Sequence, residues 1–347
     1  MNNSVSMAPS SQDTHLSNIS LLRVIAMVSV VFYHCLCYYG IWSNKFVIEG
    51  YRDFDIFLVS VNMPLFVFLS GYLYAYLRNN FHKYQDTNTF VLKKAKRLLI
   101  PYIFWGVLLV LLFPIPGHHW TDFFSGICHL WFLLMPFEEF LFFHFTYKFW
   151  KSKTQRSALL KLIGLLLVSL LMNKLFSHYY VGNLPLCINQ FFNKLPFFGL
   201  GILLSCTPPS NSKCIVFINL HSKGFAIFFC CASLLLCFVD LPYGGNSISY
   251  LLTIGILLSV FKWSETFSNK HCNFVSRKWL KDLDKCSMGI YIIHHPIIEY
   301  IVHIPGMDYY LNNYFYILPF VIFILVLPLS WLLAHIMLSS KARILLG

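Results

Sequence analysis

Long apolar runs recur along this chain, and most are long enough to cross the hydrocarbon core of a bilayer as a helix. The first, Ile19–Trp42, reads ISLLRVIAMVSVVFYHCLCYYGIW. Lipid offers the backbone no hydrogen-bond partners, so spanning segments must satisfy their own peptide groups. Repeated apolar runs of this length therefore predict membrane helices. Only 12% of the 347 residues are charged and 57% are hydrophobic, whereas a soluble domain carries about a quarter charged residues. The fold expected is all-α, a polytopic membrane protein with about ten transmembrane helices.

The expected spans are 19–42, 56–77, 98–115, 130–149, 158–176, 191–206, 224–241, 247–262, 287–304 and 314–339, the sixth and eighth being short. The chain then divides into a short tail (1–18), one transmembrane domain (19–339) and a second tail (340–347). No stretch outside the spans is long enough for another domain. The first seventeen residues are polar and lack a basic region, so the first helix is expected to be retained, not cleaved.

A formal net charge of +12 raises the question of nucleic acid. In a membrane protein, positive-inside loops are the simpler explanation. With the N-terminus cytoplasmic, 22 of the 26 Lys and Arg fall in inner loops, in the tail or at Arg23. Only Lys45, Arg52, Lys174 and Lys194 fall outside. Both termini are expected in the cytoplasm of a cell (inner) membrane, with no nucleic-acid partner. The 11 cysteines form no CxxC pair and sit mostly in apolar runs, as small packing residues do.

Against this apolar background the polar residues are the candidates for chemistry. Arg23 and His34 are eleven residues apart in the first span. That is close to a whole number of turns, so they share a helix face, roughly 16 Å apart along the axis. A cation at the membrane edge and a titratable base deeper in would suit a long anionic ligand. Equally, Arg23 could snorkel and His34 could bond a neighbouring helix. Ser70-Gly71 in the second span permits close backbone approach, and Ser70 can donate within the membrane. Lys93, Lys94, Lys96 and Arg97 precede the third span, where lipid headgroups or a phosphorylated cosubstrate could meet them.

His129 lies at the outer interface. Glu138 and Glu139 lie roughly 13 Å further down the fourth helix and require protonation, a basic partner or water. His294 and His295 lie near mid-membrane, followed by Pro296 and Glu299. Adjacent histidines diverge on a helix and HxxxH is absent, so no metal site is expected.

Five stretches, in order, resemble the acyltransferase 3 family of integral-membrane acyltransferases. LRVIAMVSVVFYH is similar to its R-x10-H signature, here Arg23 and His34. MPLFVFLSGYL, KRLLIPYIFW, HLWFL and SMGIYIIHHPI resemble four further elements. The likeness covers nearly the whole chain and most resembles the compact, enterobacterial-common-antigen O-acetyltransferase type. The chain departs at Ser20, where members often carry an acid, at Val24 in place of Gly, and at Lys94, which replaces the first Arg of an R-x-x-R element.

The resemblance implies transfer of an acyl group, acetyl in the type it is most similar to, from cytoplasmic acyl-CoA to a hydroxyl of a surface or lipid-linked glycan. It implies His34 as catalytic base, with an acyl-imidazole variant open, and Arg23, Lys94 and Arg97 as contacts for the CoA phosphates. Ser70, His129, Glu138, Glu139, His294 and His295 would shape the site. No bound cofactor is implied; acetyl-CoA is a donor cosubstrate, and membrane lipids are the remaining partners. The rivals are a glycan or lipid-linked-sugar transporter, for which no inverted repeat is visible, and a non-enzymatic scaffold.

Overall fold

A computed structural model describes residues 11–39, 48–112, 120–179, 184–207, 217, 219–238 and 247–347. Among these, all regular structure is helical. The ten longer helices are α1 (Ser11–Leu36), α2 (Glu49–Asn80), α3 (Thr87–Leu112), α4 (Trp131–Phe145), α5 (Gln155–Tyr179), α6 (Ile188–Cys206), α7 (Ser222–Phe238), α8 (Ser247–Lys270), α9 (Lys278–Val302) and α10 (Leu318–Leu338). Positions 1–10 of the expected tail, the span ends 40–42, 113–115 and 239–241, and Lys45 and Lys213 lie outside the described residues.

Seven helical stretches are long and apolar enough to cross a membrane: Ser17–Tyr39, Glu49–Asn80, Thr87–Leu112, Trp120–Phe145, Gln155–Phe176, Ser247–Lys270 and Leu318–Leu338. The other three expected spans fall on α6, α7 and α9. Each misses that standard for a local reason. Helix α7 has 17 residues. Helix α6 has 19, with Asn189, Gln190, Asn193 and Lys194 in its first two turns. Helix α9 has 25, but Lys278, Lys281, Asp282, Asp284 and Lys285 crowd its start.

Local sequence explains several boundaries. Asp86 precedes α3 and accepts from the Thr89 amide at 2.8 Å, satisfying one of the first-turn donors a helix leaves open. Those hydrogen bonds hold the Asp86 carboxyl below the usual carboxylate range. Its cap is thus present above the unfolded carboxyl's pKa and is lost as pH falls through the lower, folded one. Prolines 64, 101, 136, 196, 296 and 328 sit inside helices. Membrane helices accept them because neighbouring groups re-satisfy the freed carbonyls.

Helix α1 is the hub. It packs against α2, α8, α9 and α10, and Leu22, Ala26, Met27, Val30 and Val31 are essentially inaccessible. By contrast, α5 and α10 expose Leu159, Leu160, Leu167, Leu171, Ile324, Leu325 and Leu332, an apolar exterior that suits acyl chains.

The Ser70-Gly71 pair does permit a close approach, and the helix it admits is α6. A Cβ on Gly71 would stand 2.2 Å from the Phe198 carbonyl oxygen. One on Gly201 would stand 2.1 Å from the Phe68 carbonyl oxygen. Each glycine accommodates the other helix's backbone, which cannot rotate away as a side chain can. Gly71→Ala and Gly201→Ala should each cost about 1–3 kcal/mol by forcing the helices apart. Gly164→Ala, whose Cβ meets nothing within 4 Å, should be neutral or stabilising by up to about 1 kcal/mol. Thermal unfolding in detergent would show this; equal midpoints for all three variants would refute the packing argument.

Candidate active site

Two contacts join α1 to α9. Arg23 Nη2 lies 2.6 Å from Asp284 Oδ2, and Ser20 Oγ donates to the same oxygen at 2.8 Å. One level along, His294 Nε2 lies 3.1 Å from His34 Nδ1. Both contacts advance in the same direction along each chain, so α1 and α9 run parallel. Eleven residues on α1 match ten on α9, the relation expected of neighbouring helices with the same rise. Ser20 occupies the position where an acid was looked for, and Asp284 supplies that acid from another helix.

The deeper contact belongs to a cluster of four buried histidines. The His34 ring lies 4.8 Å from His294, 5.1 Å from His295 and 6.2 Å from His129, centroid to centroid. His129 and His295 stack at 4.5 Å and 12°. Hydrogen bonds assign the tautomers of neutral rings. His294 Nδ1 faces the Ile290 carbonyl at 2.9 Å. A carbonyl only accepts, so this nitrogen carries the proton and His294 Nε2 is an acceptor. His34 Nδ1, 3.0 Å from the Val30 carbonyl, carries its proton between that oxygen and His294 Nε2. The remaining His34 nitrogen, Nε2, then bears a lone pair. This is the state a general base needs.

A cavity of about 210 Å³ lies alongside, walled by Arg23, Ser70, Tyr84, Lys94, Arg97 and Tyr291 among others. All three expected donor contacts thus line one space, together with Ser70. Their settings differ. Arg23 is tied to Asp284. The Lys94 ammonium sits 3.4 Å from the centre of the Phe140 ring, a cation–π contact. Arg97 is exposed and makes no hydrogen bond or ion pair among the described residues. Burial pushes the Tyr84 hydroxyl up, and the Arg97 charge opposes that shift. Tyr291 connects cavity and cluster: it lines the former, donates to the His129 carbonyl and has its ring 5.9 Å from His294.

The acidic pair is not brought here. Glu139 is fully buried, neither of its oxygens has a hydrogen-bond partner among the described residues, and the charged groups acting on it are Lys194 on α6 and the neighbouring Glu138. Glu138 is partly buried beside it. Neither lines the cavity. Residues that the sequence reading passed over are Asp284, Tyr291, Cys128 and a knot behind Tyr74. In that knot Arg78 Nη1 donates to the Tyr74 hydroxyl at 2.5 Å and to His144 Nδ1 at 3.0 Å, while His144 Nε2 faces Thr87 Oγ1 at 3.1 Å. Arg78 and His144 each lie in the last turn of an apolar helix, where a basic residue reads as a topological signal. Among the described residues, donor atoms of Cys128, His129 and His295 lie within 4.8 Å of one another, as do those of Asp282, Cys286 and His335.

Removing the Asp284 charge should destabilise the fold, because Arg23 is only 30% exposed and would lose its counter-charge. Asp284→Asn is expected to cost about 1–2 kcal/mol, the charge-assisted bond discounted for that exposure. An unchanged thermal midpoint in detergent would mean the pair contributes nothing to the packing of α1 on α9.

Neither the curated proteins nor the solved structures contain a match to this chain. A family model does match: the acyltransferase domain of the acyltransferase 3 family aligns with residues 16–338. That alignment takes in α1 through α10, the cavity and all four histidines, and the chain therefore belongs to the acyltransferase 3 family.

Proposed function

We propose that this membrane acyltransferase is an O-acyltransferase, most simply an O-acetyltransferase, that takes the acyl group of cytoplasmic acyl-CoA and delivers it to a hydroxyl of a surface or lipid-linked glycan. The observation that carries the reading is the meeting of a cation-walled cavity with the histidine cluster at Tyr291, which lines the one and has its ring 5.9 Å from His294, the partner of His34. Acyl-CoA has the matching shape. Its phosphates cannot enter hydrocarbon and need cations at the rim. Its pantetheine arm is thin and ends in the reactive thioester. Arg23, Lys94 and Arg97 serve the first part and the histidine cluster serves the second.

In this mechanism His34 Nε2 accepts the proton of the attacking hydroxyl. The resulting imidazolium is stabilised at its Nδ1–H by the Val30 carbonyl and the lone pair on His294 Nε2. Ser70, in the cavity wall, is the candidate donor to the developing oxyanion. Asp284 holds Arg23 in its rotamer until donor phosphate competes for it. Arg97 has no such competitor and takes the largest share of phosphate binding. In the membrane, both termini face the cytoplasm and the basic loops follow the positive-inside pattern.

His34→Ala is expected to bind acetyl-CoA normally and to sustain no turnover to CoA and acylated acceptor in native membranes, where the acceptor is present. Wild-type turnover by this variant would remove His34 from the mechanism. Arg97→Ala should weaken acetyl-CoA binding about 10- to 150-fold, the equivalent of one charge-assisted hydrogen bond. Arg23→Ala and Lys94→Ala should weaken it less. Unchanged affinity for all three would assign these cations to lipid and topology. Orientation has its own check. Single cysteines placed in 85–92, on a background without native cysteines, should be labelled from the cytoplasmic side, and labelling from outside would invert the scheme. Comparing surface-glycan acetylation by NMR with and without the gene would identify the acceptor.

A further inference from the structure

Cys128 does not pack as the other cysteines do. It opens the turn Cys128–Leu130 that leads into α4, and its φ is +46°. A non-glycine residue pays for left-handed backbone, and such outliers gather where a side chain must be aimed. Here the side chain is aimed at His295. Cys128 Sγ lies 3.7 Å from each of the two ring nitrogens, within reach of a thiol hydrogen bond. The same ring meets a carboxylate, with His295 Nε2 3.7 Å from Glu299 Oε1. Glu299 is itself held, by a hydrogen bond from the Tyr38 hydroxyl and by His303 Nδ1, 3.4 Å from its other oxygen. The stacked His129 ring fixes the plane of the His295 imidazole. With the thiol on Nδ1 and the carboxylate on Nε2, thiol, imidazole and carboxylate stand in series, the thiol from the turn before α4 and the other two one turn apart on α9. That order is how a nucleophile, its base and the base's orienting group are recognised.

We propose that Cys128 is an acyl relay: it takes the acyl group from acyl-CoA as a protein thioester and passes it to the acceptor hydroxyl. The proposal rests on the acyl-CoA reading above. In the first half-reaction the Cys128 sulfur attacks the thioester carbonyl while its proton moves to His295. A carbon–sulfur bond forms to Cys128, the one to CoA breaks, and the departing CoA sulfur takes the proton from His295. One thioester replaces another, so the exchange needs no energy source or redox partner. In the second half-reaction the acceptor hydroxyl gives its proton to His34 Nε2 and its oxygen attacks the Cys128 thioester. The ester forms, the carbon–sulfur bond breaks, and the proton returns from His34 to the Cys128 sulfur. His34 and His295 are neighbours, 5.1 Å between ring centres, so both bases reach one acyl group. The near-parallel stacking of His129 on His295 favours this use over a metal, since stacked rings aim their lone pairs side by side and not at a common point.

Label exchange tests the relay in the full-length protein. Labelled CoA and unlabelled acetyl-CoA are incubated with purified protein and no acceptor. A relay moves label into acetyl-CoA; direct transfer to the acceptor cannot. Exchange is expected in wild type, abolished in Cys128→Ala, and reduced roughly 100-fold or more in His295→Ala through loss of the base. It should persist in His34→Ala, which loses only transfer to acceptor in native membranes. After acetyl-CoA treatment, the Cys128 peptide should carry one acetyl group that neutral hydroxylamine removes. Cys128→Ala and Cys128→Ser should both still bind acetyl-CoA, which separates loss of the thiol from loss of the fold. Exchange unchanged in Cys128→Ala overturns the relay, and so does wild type that acetylates acceptor without exchanging label. Stoichiometric zinc held by Cys128 overturns it as well. Wild type that neither exchanges label nor releases CoA in native membranes overturns the acyl-CoA reading itself, and the relay with it.

Discussion

An arginine inside a membrane helix needs a partner, and the arrangement of α1 and α9 follows from that need. Charge is costly at depth unless it is paired. Arg23 meets this condition through Asp284, and the pairing sets α9 alongside α1 in the same direction. Once that level is set, the helical rise leaves little choice at the next. His34 arrives opposite His294, and hydrogen bonds to Val30 and Ile290 decide which nitrogens hold protons. The ion pair is a structural fixture, and it is also what keeps the His34–His294 contact in register.

The remaining helices supply a shell around that axis. Paired glycines bring α2 and α6 within backbone contact, and α2 also contributes Ser70, Tyr74 and Leu77 to the cavity wall. Arg78 then ties Tyr74 to His144 on α4. Basic residues in and beside the cavity are thus of two kinds: Arg23 and Arg78 are occupied with protein groups, while Arg97 is exposed and makes no hydrogen bond or ion pair among the described residues. Occupied cations shape a site. An unoccupied one is available to bind.

The register of Arg23 and His34 was legible because two ionisable residues in an apolar run, at near-integral helical spacing, have few benign explanations. Helical class was legible for the same reason that any long apolar run is. Asp284 was not, because it lies in a lysine-rich segment that reads as a topological signal and not as part of a site. Cys128 was hidden among eleven cysteines that composition assigns to packing; what distinguishes it is the His295 ring that its thiol faces. Glu138 and Glu139 drew attention correctly as expensive residues, but α4 turns Glu139 toward Lys194 on α6, away from the cavity. Proximity in sequence to HLWFL gave no information about that rotation. Helices α6, α7 and α9 fall short of a plain spanning criterion through polar first turns or brevity, which smooth hydropathy cannot separate from a true boundary.

Burial of the histidine cluster bears on the chemistry as much as on stability. An acyl thioester is activated toward any nucleophile, and water is the most abundant one. His34, His129, His294 and His295 are each less than a tenth exposed, so a thioester brought to them on the proposed reading is shielded from water. Shielding also strengthens every hydrogen bond that must form to a developing charge. On the proposed reading, the donor's charged head stays at the rim while a small neutral acyl group alone travels past Tyr291. Moving an acyl group avoids moving a nucleotide through hydrocarbon. It requires only that successive nucleophiles and bases lie within one bond-making distance of each other. A cluster in which four imidazoles, a thiol and a carboxylate share one small buried volume meets that requirement, and an arrangement with the base at one membrane face and the acceptor at the other would not.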